Sequence, residues 1–192
     1  MAPRVFVITG PSGVGKGTLI GKLRAAVPAL KLSVSATTRA PRAGEQDGRD
    51  YHFLEDNEFT KLIGAGAFLE HADYSGHRYG TLRAAVDGSI ESGDPVVLEI
   101  EVEGARQVRQ AMPEAVQVFI SPPSPAALRE RLEARGTDDA AAIERRLETA
   151  MSELEAQSEF AHVVVNDELE RAARELEVIV RQQLSLESLT KR

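Results

Sequence analysis

The stretch that decides the fold runs Val5-Phe6-Val7-Ile8-Thr9-Gly10-Pro11-Ser12-Gly13-Val14-Gly15-Lys16-Gly17-Thr18. Val5 to Ile8 is a short, β-branched apolar run, the mark of a strand buried on both faces. After Thr18, the residues Leu19, Ile20, Leu23 and Val27 fall at helical spacing until Pro28 ends the stripe. Gly10 to Thr18 is therefore a glycine-rich turn from a buried strand into a helix. Its glycines let consecutive N–H groups point into one concavity, and the helix start adds partial positive charge. Lys16 can reach the β and γ phosphates of a nucleotide, so the segment reads as a polyphosphate site.

Further along, apolar runs alternate with helical periodicity. The expected strands are Val5 to Ile8, Leu32 to Ser35, Val96 to Ile100, Val116 to Ile120 and Val163 to Val165. This predicts an α/β, three-layer P-loop fold around a five-stranded parallel sheet. One helical stripe reads Ile143, Leu147, Met151 and Leu154, and a longer one Leu169, Ala173, Leu176, Val180 and Leu184. Asp167 with Glu170 predicts a capping box at the start of the longer one. Two insertions interrupt the alternation, about 35–81, rich in arginine and tyrosine, and about 126–150, with Arg131, Arg135, Arg145 and Arg146. The core is then expected to comprise 1–34, 82–125 and 151–192.

At 192 residues, with 42% hydrophobic and 28% charged residues, the chain is expected to fold alone around one core. A net charge of −7 without a basic block argues against a nucleic-acid binder, which needs a positive footprint. No run approaches a membrane span, so no membrane partner is expected. The absence of cysteine suits a reducing compartment, and the cytoplasm is the expected location.

In Ser35-Ala36-Thr37-Thr38-Arg39-Ala40-Pro41-Arg42 two arginines stand three apart. Pro41 biases Ala40 to extended geometry, whose threefold repeat sets both guanidiniums on one side of the chain to grip one phosphate. Tyr51 and Tyr79 can add phenolic donors. With Ala43-Gly44-Glu45 and Gly48-Arg49-Asp50-Tyr51-His52-Phe53, this segment resembles the guanylate kinase signature. Phe68-Leu69-Glu70-His71-Ala72, Tyr79-Gly80-Thr81 and Leu98-Glu99-Ile100-Glu101 are similar to that family's base-binding and central-strand segments, and Arg135-Gly136-Thr137 to its lid.

The resemblance implies an ATP:GMP phosphotransferase, with 35–81 as GMP-binding subdomain and 126–150 as lid. Its substrates would be ATP and GMP or dGMP. It implies that Arg39, Arg42, Tyr51 and Tyr79 hold the GMP phosphate while Ser35, Glu70 and Thr81 read guanine. A carboxylate with two hydroxyls independently complements guanine's N1–H, exocyclic amine and O6. Glu99 and Glu101, at the C-terminal end of a core strand, would order Arg39, the Mg²⁺ waters or the acceptor. Gly17 stands where serine or threonine usually meets the metal. Adenylate kinases share that Gly-Lys-Gly-Thr ending, and there Mg²⁺ leans on nucleotide phosphates and water. Direct protein ligation of Mg²⁺ is therefore not expected, with Thr18 or Glu99 reaching it through water.

Arg135 and Arg146 are the lid arginines expected over the transferring group, although Glu130, Glu133 and Glu144 equally suit surface pairs with this set. Asn166 resembles the position near the adenine of ATP, and a helix N-cap is the alternative. The four histidines, His71 and His77 included, have no zinc-motif spacing. Two other readings remain open, a catalytically silent interaction domain and a kinase for another phosphomonoester.

Overall fold

The computed structural model describes residues 5–74, 76–134 and 140–190. Strand β1 (Val5–Thr9) is buried at every position and so takes the middle of a sheet. The order is β2 (Lys31–Leu32), β7 (Val96–Glu99), β1, β8 (Val116–Ser121) and β9 (His162–Val165), with all neighbours parallel. Phe6 and Ile8 project to one face, where α1 (Lys16–Ala26) and α7 (Leu169–Thr190) bury Leu19, Leu23, Leu176 and Val180. Val5 and Val7 project to the other, against Val86 of α3 (Arg83–Glu91) and Ala105 and Val108 of α4 (Val102–Ala111). Alternate strand residues thus feed two apolar layers, which explains the continuous apolar runs.

The predicted strand Leu32 to Ser35 is replaced by Lys31–Leu32. Ser33 still donates its N–H to Val97 O at 3.0 Å, but the chain then leaves for a second sheet, where Ser35 O accepts the His52 N–H. That sheet has the order β4 (His52–Phe53), β3 (Ala36–Thr37), β6 (His77–Leu82), β5 (Phe68–Tyr74). Two of its strands, β3 and β4, have two residues each, and the longer β5 and β6 are too polar to signal themselves by periodicity. Helix α2 (Asp56–Gly64) covers it, with Phe59 stacked on Phe68 at 4.4 Å between ring centroids. Edge strand β5 lies along α4, where the Gln107 side chain accepts the His71 N–H and donates to the His71 carbonyl, at 3.1 and 2.8 Å.

Helices α5 (Pro125–Ala134) and α6 (Ala140–Glu155) close the first apolar layer through Leu128, Leu132, Ile143 and Leu147. Met151, expected in that stripe, faces solvent, and Ala150 takes the core position instead. The predicted capping box at α7 is also displaced. Glu168 caps Glu170 N–H at 3.2 Å, Asp167 pairs with Arg171, and Glu170 turns to Lys22. Among the described residues, no helix is long and apolar enough to cross a membrane.

Candidate active site

The turn after β1 is shaped by its neighbours. Gly10 has φ of +136°, and any Cβ there would overlap the Ile120 carbonyl of β8, so only glycine lets the loop leave the sheet at this point. The loop is then fastened from behind. The buried Asn166 amide donates to Val14 O at 2.8 Å, and Arg131 donates to Val14 O and Asn166 O at 3.2 and 2.7 Å. Gly10 and Val14 therefore serve as the loop's frame, whereas Pro11, Ser12, Gly13, Gly15, Lys16, Gly17 and Thr18 line a cavity of about 640 Å³. Lys16 Nζ donates to the Gly10 and Pro11 carbonyls and lies 3.5 Å from Glu101 Oε2.

The opposite wall is built by the second sheet. Arg39 and Arg42 both line the cavity. The structure corrects what holds Arg39: neither Glu99 nor Glu101 does so. Glu45 accepts two bonds from the Arg39 guanidinium at 2.9 and 3.0 Å and one from the Arg42 N–H at 2.7 Å. This pairing holds the Glu45 carboxyl below the usual carboxylate range. Arg39 also lies 5.3 Å from the Tyr51 ring centre, and Tyr51 meets Tyr79 edge-on. Burial pushes the Tyr51 phenol up, so it stays a donor.

Glu70 owes its position to a β-bulge. Phe68 pairs with Leu82 but Glu70 with Thr81, so one extra residue sits on β5. Phe68 enters the small sheet's core, Leu69 the main core, and Glu70 is turned into the cavity wall at 5% exposure. The Thr81 hydroxyl, behind the wall, donates to it at 2.7 Å. Desolvation pushes the Glu70 carboxyl up to about 7, opposed by the Thr81 bonds and helped by Glu101. Ser35 lines the same region.

At the floor, Glu99 and Glu101 stand at the end of β7 and the start of α4. Glu99 opens to cavity water but is walled in by protein, which pushes its carboxyl up, against the pull of Lys16. A Cβ on Gly17 would meet Glu99 at an ordinary 3.5 Å, so no clash at that atom demands glycine there. Arg146 reaches the cavity from α6. Arg135 lies outside the described residues. Glu144 pairs across the helices with Arg129 at 3.0 Å, an arginine outside the set expected to meet it.

A polyphosphate loop facing a paired-arginine wall across one cavity is the geometry of a nucleotide phosphotransferase. The guanylate kinase family model matches residues 2–183. The chain belongs to the guanylate kinase family. A guanylate kinase of Synechococcus sp. (strain CC9311) is 55% identical over 174 residues, 91% of this chain and 92% of that one. One of Streptomyces coelicolor is 53% identical over 174 residues, 91% and 88% of the two chains. The crystal structure of guanylate kinase from Anaplasma phagocytophilum matches with a TM-score of 0.76 at 31% identity, covering 95% of this chain and 86% of that one. A gluconokinase from Sinorhizobium meliloti 1021 shares the fold alone, with a TM-score of 0.53 at 18% identity.

Three residues that sequence reasoning did not assign shape this guanylate kinase cavity. Glu45 clamps Arg39, and its position three residues after Arg42 was the available signal. Gly104 of α4 leaves the room in which the Glu70 carboxylate sits, since a Cβ there would overlap it. Tyr74, at the end of β5, lines the cavity and contacts Ser12, its phenol pushed up to about 12 by burial. Neither Gly104 nor Tyr74 had a sequence signal, because the contacts are made between separate elements.

Proposed function

We infer that this enzyme transfers the γ-phosphoryl group of ATP to GMP, giving ADP and GDP. The observation that carries the reading is one continuous cavity shared by Lys16 and its loop, the Arg39 and Arg42 guanidiniums, and the Glu70 carboxylate.

In this reading the loop N–H groups and Lys16 take the β and γ phosphates of ATP, Lys16 exchanging its Gly10 and Pro11 carbonyls for them. Arg39 and Arg42 hold the GMP phosphate with the phenols of Tyr51 and Tyr79. Glu70 takes guanine N1–H and the exocyclic amine, Ser35 adds a hydroxyl, and Thr81 acts through its bond to Glu70. Asn166 serves the donor side by fixing Val14. Segment 35–81 is the GMP-binding subdomain and 126–150 the lid, with Arg131 and Arg146 on the donor side of the cavity.

The floor also suits Mg²⁺, because the Thr18 hydroxyl and the Glu99 and Glu101 carboxylates are hard oxygen donors and one Glu101 oxygen is buried without a hydrogen-bond donor. Held mainly by nucleotide phosphates and water, the ion would neutralise charge on those phosphates. No general base is required, as the GMP phosphate, with a second pKa of about 6, is already anionic near neutral pH. What the protein supplies is alignment of that oxygen with the γ-phosphorus, arginine charge, and exclusion of water when both nucleotides are bound. Its ligands are free nucleotides, and its lack of cysteine suits the cytoplasm.

The test is a purified sample given ATP, Mg²⁺ and in turn GMP, dGMP, IMP or AMP. Stoichiometric ADP and GDP with GMP, and little product with AMP, is expected. No ADP with any acceptor would leave an interaction domain, and equal rates with AMP would reassign the acceptor pocket.

A further inference from the structure

Helix α4 meets the guanine side of the cavity at two points. Gly104 faces the Glu70 carboxylate and leaves the room it occupies. Three residues on, and therefore on the same face of the helix, Gln107 reaches β5 one residue past Glu70. Its side-chain oxygen accepts the His71 N–H at 3.1 Å, and its amide donates to the His71 carbonyl at 2.8 Å. Successive residues of an antiparallel strand turn their backbone groups to opposite sides. Glu70 pairs with Thr81 of β6, so His71 presents its N–H and C=O to α4.

The helix is itself fixed to the main sheet. Val102, Ala105 and Val108 are buried in the layer beneath it. From β8, the buried Gln117 side chain donates to the Ala105 carbonyl at 2.7 Å and accepts two bonds from Arg109, at 2.9 and 3.2 Å. At its start α4 follows Glu101, which lies 3.5 Å from Lys16 of the phosphate loop. One helix thus carries the frame of the donor site to the strand that reads the base.

We propose that Gln107 is a positioning residue for guanine recognition: its two bonds to His71 hold β5 against α4 at the distance and register that aim the Glu70 carboxylate at guanine. This rests on the ATP:GMP reading and deepens it. Three constraints meet at Glu70. Thr81 donates to the carboxylate from β6, Gly104 leaves it room, and Gln107 fixes the main chain beside it. With the Gln107 bonds gone, β5 is freer to lift from α4, and a displacement of about 1 Å at a reacting geometry costs as much as about 10²-fold in rate.

A clip that only joined the layers would weaken the whole enzyme, whereas one that aims Glu70 acts on the acceptor alone. Gln107→Met keeps the length and helical preference of the side chain and removes both bonds. kcat/KM for GMP should fall by about tenfold while KM for ATP stays within about twofold. GMP offers Glu70 two donors and IMP, which lacks the exocyclic amine, offers one, so the preference for GMP over IMP should narrow by about fivefold. In a Glu70→Ala background the same substitution should change kcat/KM for GMP by less than about twofold, because no carboxylate is left to aim. Gln107→Asn, polar and one methylene shorter, should show the same selective loss and serves where the methionine variant folds poorly.

Equal losses for ATP and GMP, an unchanged ratio of GMP to IMP, or a full additive loss in the Glu70→Ala background overturns the proposal. Amide hydrogen exchange at His71 judges the bonds without turnover. It should quicken by about tenfold in Gln107→Met, and unchanged exchange overturns the proposal as well. If the unaltered enzyme makes no GDP from ATP and GMP, the assigned reaction falls and takes the guanine role with it, whatever the exchange shows.

Discussion

The Thr81 hydroxyl donates to the Glu70 carboxylate across 2.7 Å, between cross-strand partners set opposite each other by a bulge. The bond keeps a buried acid aimed at the cavity. Its carboxyl is pushed up to about 7, so near neutral pH Glu70 is divided between neutral and ionised forms. Guanine presents two donors and therefore prefers the ionised form. GMP binding near pH 6 should consequently release a proton from Glu70. Calorimetry in buffers of different ionisation enthalpy should show that release in the unaltered enzyme, and Glu70→Gln should lose this part while retaining any contribution from the phosphate.

The same shift has a stability consequence of the opposite sense. The folded state holds the Glu70 proton up to about pH 7, while the unfolded chain gives it up near 4.5, so stability from this group declines as pH rises between those values. Glu70→Ala should lower kcat/KM for GMP by about 10²-fold or more without lowering the melting temperature at pH 8. A melting loss comparable to the kinetic one would show that Glu70 is a structural residue.

Gly104→Ala should act on the same contact from the other side. The added methyl overlaps the Glu70 carboxylate and forces it to turn, so GMP use should fall by about tenfold or more while ATP affinity is kept. Combining it with Glu70→Asp, which shortens the displaced group, should cost less than the two single changes summed. Strict additivity in a double-mutant cycle would mean that the two positions do not meet.

Glu45→Gln should raise KM for GMP by about tenfold and leave KM for ATP unaltered. Arg39 loses its charged two-bond partner, keeping at most one bond to the neutral amide oxygen besides its contacts with Ala40 O, Tyr79 and the aromatic rings. Initial-rate measurements varying each nucleotide separately decide this. Equal effects on both substrates would show that the clamp serves the whole fold.

Asn166→Ala removes one of the two bonds that fasten Val14 O from behind and leaves the longer one from Arg131. Because Val14 O keeps a partner, the loss should be about 0.5–1.5 kcal/mol in stability, accompanied by a raised KM for ATP. Denaturant unfolding with the same enzyme's ATP kinetics tests both. Unchanged stability with a large ATP effect would instead favour direct contact with the nucleotide.

The parallel sheet was legible because its strands are apolar on both faces and its loop carries a motif with one physical meaning. The second sheet was not, since Ala36–Thr37 and His52–Phe53 are two-residue strands whose pairing comes from chains far apart in sequence. The composition of the arginine and tyrosine wall could be read from spacing, but its clamp could not, because a carboxylate near arginines does not declare which one it will hold. Glu101 shows the limit most clearly. Its neighbour Glu153 lies 52 positions away on a helix read only for its apolar stripe, and Met151 in that stripe proved to face water.

Gln107 gives the molecule one more property. Strand β5 ends its sheet, and an exposed strand rim is where chains stick to one another. By offering an amide oxygen to the His71 N–H and an amide hydrogen to the His71 carbonyl, a single side chain occupies one pair of the groups that a foreign strand would seek, midway along the rim. Replacing it with leucine would uncover that rim and invite self-association in concentrated solution, so this glutamine works as a guard against clumping as well as a clip between layers.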